Sequence, residues 1–171
     1  MTLKRHLEYV QFQGISWMSR IIQGFTRDSD SHSAVIDRQA PTEKILIEQW
    51  PHKGGATAWM GYNTFENGHT PGTPYYIWSL AVSPQDYDFV MDYYRRSAEE
   101  KKPYDWAGII AFALKGEGSA DKTFCSEEMV TPLTLRLKNW EWVKPVVVHP
   151  GYFRNLLIAA GATHTGPFYV D

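Results

Sequence analysis

Cysteine and histidine side chains supply much of the nucleophile and base chemistry open to a protein near neutral pH. The chain carries one cysteine, Cys125, in the run Lys122-Thr-Phe-Cys-Ser-Glu-Glu-Met-Val130. Of its six histidines, His32 opens an apolar stretch in Asp30-Ser-His-Ser-Ala-Val-Ile-Asp37. A free thiol has a pKa near 8.5, so an effective nucleophile needs a helix N-terminus or a neighbouring imidazole to favour the thiolate. If Cys125 and His32 meet in space, the chemistry is that of a thiol hydrolase or transferase.

Both residues sit where regular elements should begin. Asp121-Lys-Thr123 offers capping side chains ahead of Cys125, and Glu127 and Glu128 place acids in the first turn of a short helix. The N–H groups of such a helix start can also receive an oxyanion formed in acyl transfer. The alternative is a buried cysteine acting as a small hydrophobe; the polar company of Thr123, Ser126, Glu127 and Glu128 favours the chemical role. For His32, the alternative is a surface group or a satisfied core imidazole. A catalytic imidazole needs an acceptor that fixes its tautomer. Glu48, the lone acid within Ile45-Leu-Ile-Glu-Gln-Trp50, is the candidate, against a solvent-facing place on an edge strand.

The other histidines, His6, His52, His69, His149 and His164, show no His-x-x-x-His or His-Glu-x-x-His spacing, and no Cys-x-x-Cys exists. Neither a Gly-x-Gly-x-x-Gly run nor a phosphate loop is present. The sequence therefore predicts no metal and no cofactor. The aromatic clusters Tyr75-Tyr76-Ile-Trp78 and Trp140-Glu-Trp142 read mostly as core, the alternative for one ring being the lining of a substrate groove.

The elements that must position these residues follow from patterning. Ile15, Met18 and Ile22 form a helical stripe that Gly24 should stop, and His32 to Ile36 alternates as a strand. Lys44 to Trp50 is the next strand, closed by Pro51 and Gly54-Gly55. A Gly- and Pro-rich loop from Asn63 to Pro74 precedes a strand from Tyr75 to Val82. Ser83-Pro84 then starts a helix with an apolar face of Tyr87, Val90, Met91, Tyr94 and Ala98. Further helices are predicted from Trp106 to Leu114, at Cys125 and from Pro150 to Gly161, with a strand at Val146–Val148. Segregated elements of this kind indicate an α+β class.

At 171 residues, with 43% hydrophobic and 15% aromatic content, the chain fits one domain, residues 1–171, with a sizeable core. A net charge of −2 supplies no basic footprint for nucleic acid. A single cysteine excludes an internal disulfide framework. No apolar run approaches the roughly 20 residues of a membrane helix, and Met1 to Val10 lacks the apolar segment of a signal peptide. The expectation is a soluble protein, cytoplasmic by default.

Several of these runs resemble the circularly permuted papain-like amidases of the NlpC superfamily, in its YiiX-like branch. Gly14-Ile-Ser-Trp-Met-Ser-Arg-Ile-Ile-Gln-Gly-Phe-Thr26 followed by Ser31-His-Ser-Ala-Val35 is similar to the family's opening. Ile47-Glu-Gln-Trp50, Tyr104-Asp-Trp-Ala-Gly108, Phe124-Cys-Ser-Glu-Glu128 and Val148-His-Pro-Gly-Tyr152 resemble its later motifs in order. The chain departs from the pattern at Gln49, Glu128 and Tyr152. The resemblance implies a permuted papain-like fold, in which the cysteine helix packs on a small antiparallel sheet carrying the histidine. It further implies Cys125 as nucleophile, His32 as base and Glu48 as orienting residue. The implied substrate contains an amide or peptide bond. The alternatives are an acyltransferase or phospholipase acting on lipid esters, and a catalytically silent binding module.

Overall fold

The first strand, β1 (Arg5–Phe12), alternates so that Leu7 and Tyr9 enter one core while Val10 and Phe12 enter another. The computed structural model describes residues 3–51, 58–101, 125–145 and 148–171. After β1 come helix α1 (Trp17–Thr26), β2 (His32–Ile36), a 3₁₀ turn at Thr42–Lys44, β3 (Leu46–Pro51), β4 (Ala58–Asn63) and β5 (Pro74–Val82). Helix α2 (Pro84–Glu99), helix α3 (Cys125–Arg136), a 3₁₀ turn at Lys138–Trp140, helix α4 (Pro150–Ala159) and β6 (Thr163–Tyr169) complete the described elements.

The strands form one antiparallel sheet in the order β4-β3-β2-β1-β5-β6. This is an α+β architecture, as the segregated pattern predicts. One face of the sheet, with Tyr9, Val35, Ile47 and Leu80, buries against Tyr94, Met129, Leu133 and Phe153 of the helices. Each such large apolar side chain contributes about 1.5–3 kcal/mol when fully buried. The other face carries Val10, Phe12, Ala34, Ile36 and Leu46, packed with Val170, Phe65 and Tyr75. Phe65 belongs to the loop between β4 and β5, so this face is covered by a loop rather than by the helix layer.

Local signals explain most of the helix ends. Ser83 caps α2 by accepting from the Asp86 N–H at 3.1 Å, with Pro84 at the first helical position. Beyond α4, Gly161 takes φ +80 and the Ala162 N–H reaches back to the Leu157 carbonyl. Helix α1 outruns the stop expected at Gly24: Arg27 adopts the left-handed conformation and its N–H caps the Gln23 carbonyl. Strands β1, β4 and β6 have no counterpart in the predicted elements. In β6 all seven residues are exposed, so no alternation of burial exists for a pattern to follow. The predicted helix from Trp106 to Leu114 lies outside the described residues, as do positions 146 and 147 of the predicted strand; Val148 is irregular. No helix among the described residues is long and apolar enough to cross a membrane.

Candidate active site

His32 is the first residue of β2, and Glu48 lies within β3. The register pairs Ala34 with Glu48 and His32 with Phe12. Side chains two apart on a strand share a face, so His32, Ala34 and Glu48 all point to the loop-covered side of the sheet. Diagonal neighbours of this kind are within reach of long side chains. The His32 Nε2 and Glu48 Oε2 are 2.8 Å apart, with Glu48 wholly buried and the His32 side chain 14% exposed. The alternative reading of Glu48 as a solvent-facing edge residue is thereby corrected: β3 is interior to the sheet, between β2 and β4.

Two further residues complete the cluster. Asn63, the last residue of β4, donates from Nδ2 to Glu48 Oε1 at 2.5 Å and to the Asn67 carbonyl at 2.9 Å. Asn67 returns a bond from its own Nδ2 to Asn63 Oδ1 at 2.6 Å, which latches the start of the β4–β5 loop to the sheet. The same loop carries His69, whose Nε2 lies 3.4 Å from Glu48 Oε2. Its ring stacks on Phe12 with centroids 4.0 Å apart and planes 12° from parallel. The residue reading singled out neither Asn63 nor His69. Their places depend on the fold of a loop, and sequence spacing carries no signal of that.

Burial by itself would push the Glu48 carboxyl up, but the His69 and His32 imidazoles beside it hold its pKa down to about 2. Glu48 is thus an acceptor-only carboxylate, and the hydrogen between it and His32 belongs to the imidazole Nε2. In a neutral ring the lone pair that can take a proton is then on Nδ1. This is the tautomer a base needs when a carboxylate orients its far nitrogen.

Cys125 opens α3, as expected, with Glu127 and Glu128 in the first turn; its side chain lies outside the described residues. The next residue, Ser126, is fully buried and donates to the Val148 carbonyl at 2.6 Å, which anchors the helix start. Glu128 is buried and accepts from Ser97 Oγ at 3.0 Å. Helix α3 packs against β2, and its Met129, Val130 and Leu133 join the core on the Val35 side. The helix therefore lies across the sheet from the His32 and Glu48 side chains. On the helix-facing side, one position along from His32, the buried polar side chains of Gln11, Ser33 and Gln49 occupy β1, β2 and β3, with Ser33 donating to Gln11 at 3.0 Å.

A cavity of about 70 Å³ adjoins the imidazoles, bounded by Phe12, Gly14, Ser31, His32, His69 and Thr73. Such a space holds a small polar group or a few water molecules.

No family model matches the chain, and no curated protein matches it. Among solved structures, that titled as the metalloprotein yiiX from Escherichia coli O157:H7, DUF1105, is similar, with a TM-score of 0.53 and 19% identity. The match covers 76% of this chain and 64% of the other. The likeness is one of fold. The chain has a YiiX-like fold over most of its length and spans less than two thirds of that protein.

Proposed function

We propose that this protein is a thiol hydrolase of the permuted papain-like kind, cleaving an amide or peptide bond through an acyl-enzyme on Cys125. The observation that carries the reading is the His32–Glu48 pair, an imidazole tied by Nε2 to a buried carboxylate at 2.8 Å. Cys125 at the head of a helix that packs on the strand of His32 supports it, as does the YiiX-like fold.

In the first step the Cys125 thiol gives its proton to His32 Nδ1, and the sulfur bonds to the substrate carbonyl carbon. The amide C–N bond then breaks, and His32 returns the proton to the departing amine. Water deacylates the thioester by the same route, restoring the thiol and releasing a carboxylic acid. Glu48 holds the ring and stabilises the imidazolium between these transfers, without accepting a proton. His32 and α3 stand on opposite faces of the sheet, so the mechanism requires the thiol to reach the imidazole past the leading end of β2. His32 is the first residue there, and the polar row of Gln11, Ser33 and Gln49 lies beside it.

The test is alkylation of Cys125 by iodoacetamide across pH, paired with hydrolysis of peptide and lipid-ester reporters. Rapid labelling well below pH 8, with peptide turnover that disappears in Cys125→Ala, is the expected result. A labelling profile of an ordinary thiol, without turnover, would leave a binding module. Preference for the lipid ester would make the enzyme an acyltransferase or phospholipase.

A further inference from the structure

Glu48 Oε2 faces two imidazoles, and catalysis as proposed above uses one of them. We propose that His32, Glu48 and His69 form a binding site for a divalent transition metal of the Zn²⁺ type, and that the metal switches the thiol chemistry off. The second half rests on the hydrolase reading; the first half does not.

The geometry is that of a three-ligand site with an open position. The candidate donor atoms of the three residues all lie within 4.8 Å of one another. Zn–N and Zn–O bonds of about 2.0–2.1 Å place neighbouring ligands of a tetrahedron roughly 3.3–3.4 Å apart. His69 Nε2 and Glu48 Oε2 already stand at 3.4 Å. His32 Nε2, at 2.8 Å from the same oxygen, has to swing out by about half an ångström. Two imidazoles and one carboxylate are a donor set suited to zinc and its neighbours rather than to calcium or magnesium.

The surroundings fit a ligand set fixed in advance. Asn63 binds Oε1 and so holds the carboxylate with Oε2 toward the two imidazoles. Phe12 holds the His69 ring flat against itself. The cavity of about 70 Å³ touches both His32 and His69, leaving room for water at the fourth position. A wholly buried carboxylate is also costly unless compensated, and a cation between the three groups compensates it. The ligands come from β2, β3 and a loop, at spacings that no short metal motif contains.

The switch follows from the two nitrogens of His32. As a base, the ring carries its hydrogen on Nε2 and accepts at Nδ1. As a metal ligand through Nε2 it must carry that hydrogen on Nδ1, where it cannot take the thiol proton. The same ring therefore cannot do both at once.

The experiment titrates metal-stripped Cys125→Ala protein with Zn²⁺ by calorimetry, and with Co²⁺ by visible absorption. In this host a thiol cannot be the ligand. Saturable binding of one ion per chain, with the intense d–d bands of low-coordinate Co²⁺, is expected. His69→Ala and His32→Ala should each weaken binding by about 100-fold or more, and Asn63→Ala by about 10–100-fold, with circular dichroism confirming folded protein. Absence of saturable binding in Cys125→Ala overturns the site, as does binding of equal strength in folded His69→Ala. In otherwise wild-type protein, the midpoint of Zn²⁺ inhibition should move in His69→Ala by the same factor as the binding constant. Binding without inhibition of turnover overturns the switch. A protein that binds the metal in this way yet never hydrolyses a reporter keeps the site and loses only the hydrolase reading.

Discussion

Asn63 donates to Glu48 through Oε1, while His32 and His69 both approach Oε2, so each carboxylate oxygen has its own class of neighbour. Replacing Asn63 by Ala leaves Oε1 buried without that donor and frees the Asn67 side chain from its partner. A buried acceptor left unsatisfied costs about 1–3 kcal/mol. Urea denaturation of Asn63→Ala should show a lower midpoint of matching size. A midpoint equal to wild type would mean the bond contributes nothing net.

The tautomer argument makes Glu48→Gln informative. A glutamine amide can offer its N–H₂ to His32 Nε2, which favours the ring with hydrogen on Nδ1 and removes the base. Turnover should fall by roughly 10²–10⁴-fold, in the range seen when an orienting carboxylate becomes an amide. The fold should remain cooperative by circular dichroism, and kcat should carry most of the loss. Wild-type kcat in this variant would exclude Glu48 from the reaction.

How much of this was readable from residues alone depended on whether a signal was local. Helix α2 was legible because its cap, its first-turn proline and its apolar face are all written within sixteen residues. Strand β2 and the central acid of β3 were legible for the same reason: a polar loop followed by alternation, and one carboxylate among aliphatics. Strand β6 was not, since all seven of its residues are exposed even where His164 and Phe168 rest on Trp78 and Tyr75 of β5, which leaves no burial period to detect. His69 was not either. It reaches Glu48 by way of a loop latched through Asn63 and Asn67, a tertiary fact without a sequence period.

Asp37, just beyond β2, receives Arg95 of α2 in a two-pronged pair, Nε to Oδ2 at 2.7 Å and Nη2 to Oδ1 at 2.8 Å. The Arg95 hydrogen bonds hold its pKa below the ordinary 3.8 despite burial, with a further contribution from the Gln39 N–H. A depressed folded-state pKa stabilises the fold above the unfolded value, and that stability is lost as pH falls through the folded one. The gap in stability between wild type and Asp37→Asn should therefore be full at pH 6 and shrink below pH 3.8, as denaturant titrations at several pH values would reveal. At neutral pH a charge-assisted pair of this geometry is worth on the order of 1.5–3 kcal/mol. A gap that stays constant down to pH 2 would show that the pair does not set the acid response.

The helix that begins at Cys125 is fixed from below by Tyr94 of α2, whose hydroxyl donates to the Met129 carbonyl at 2.5 Å and meets the Tyr9 hydroxyl at 3.1 Å. Burial raises the pKa of both phenols, so this chain of hydroxyls stays protonated at any ordinary pH. Tyr94→Phe keeps the ring contacts with Tyr9 and removes the hydroxyl that donates to the Met129 carbonyl of α3. Two buried oxygens then lose a partner, and the expected cost is about 1–3 kcal/mol. Because Met129 stands one helical turn beyond Cys125, the change should also loosen the helix start: amide exchange in α3 should accelerate more than in α4. Uniform acceleration across both helices would mean that Tyr94 supports the core as a whole and does not position α3.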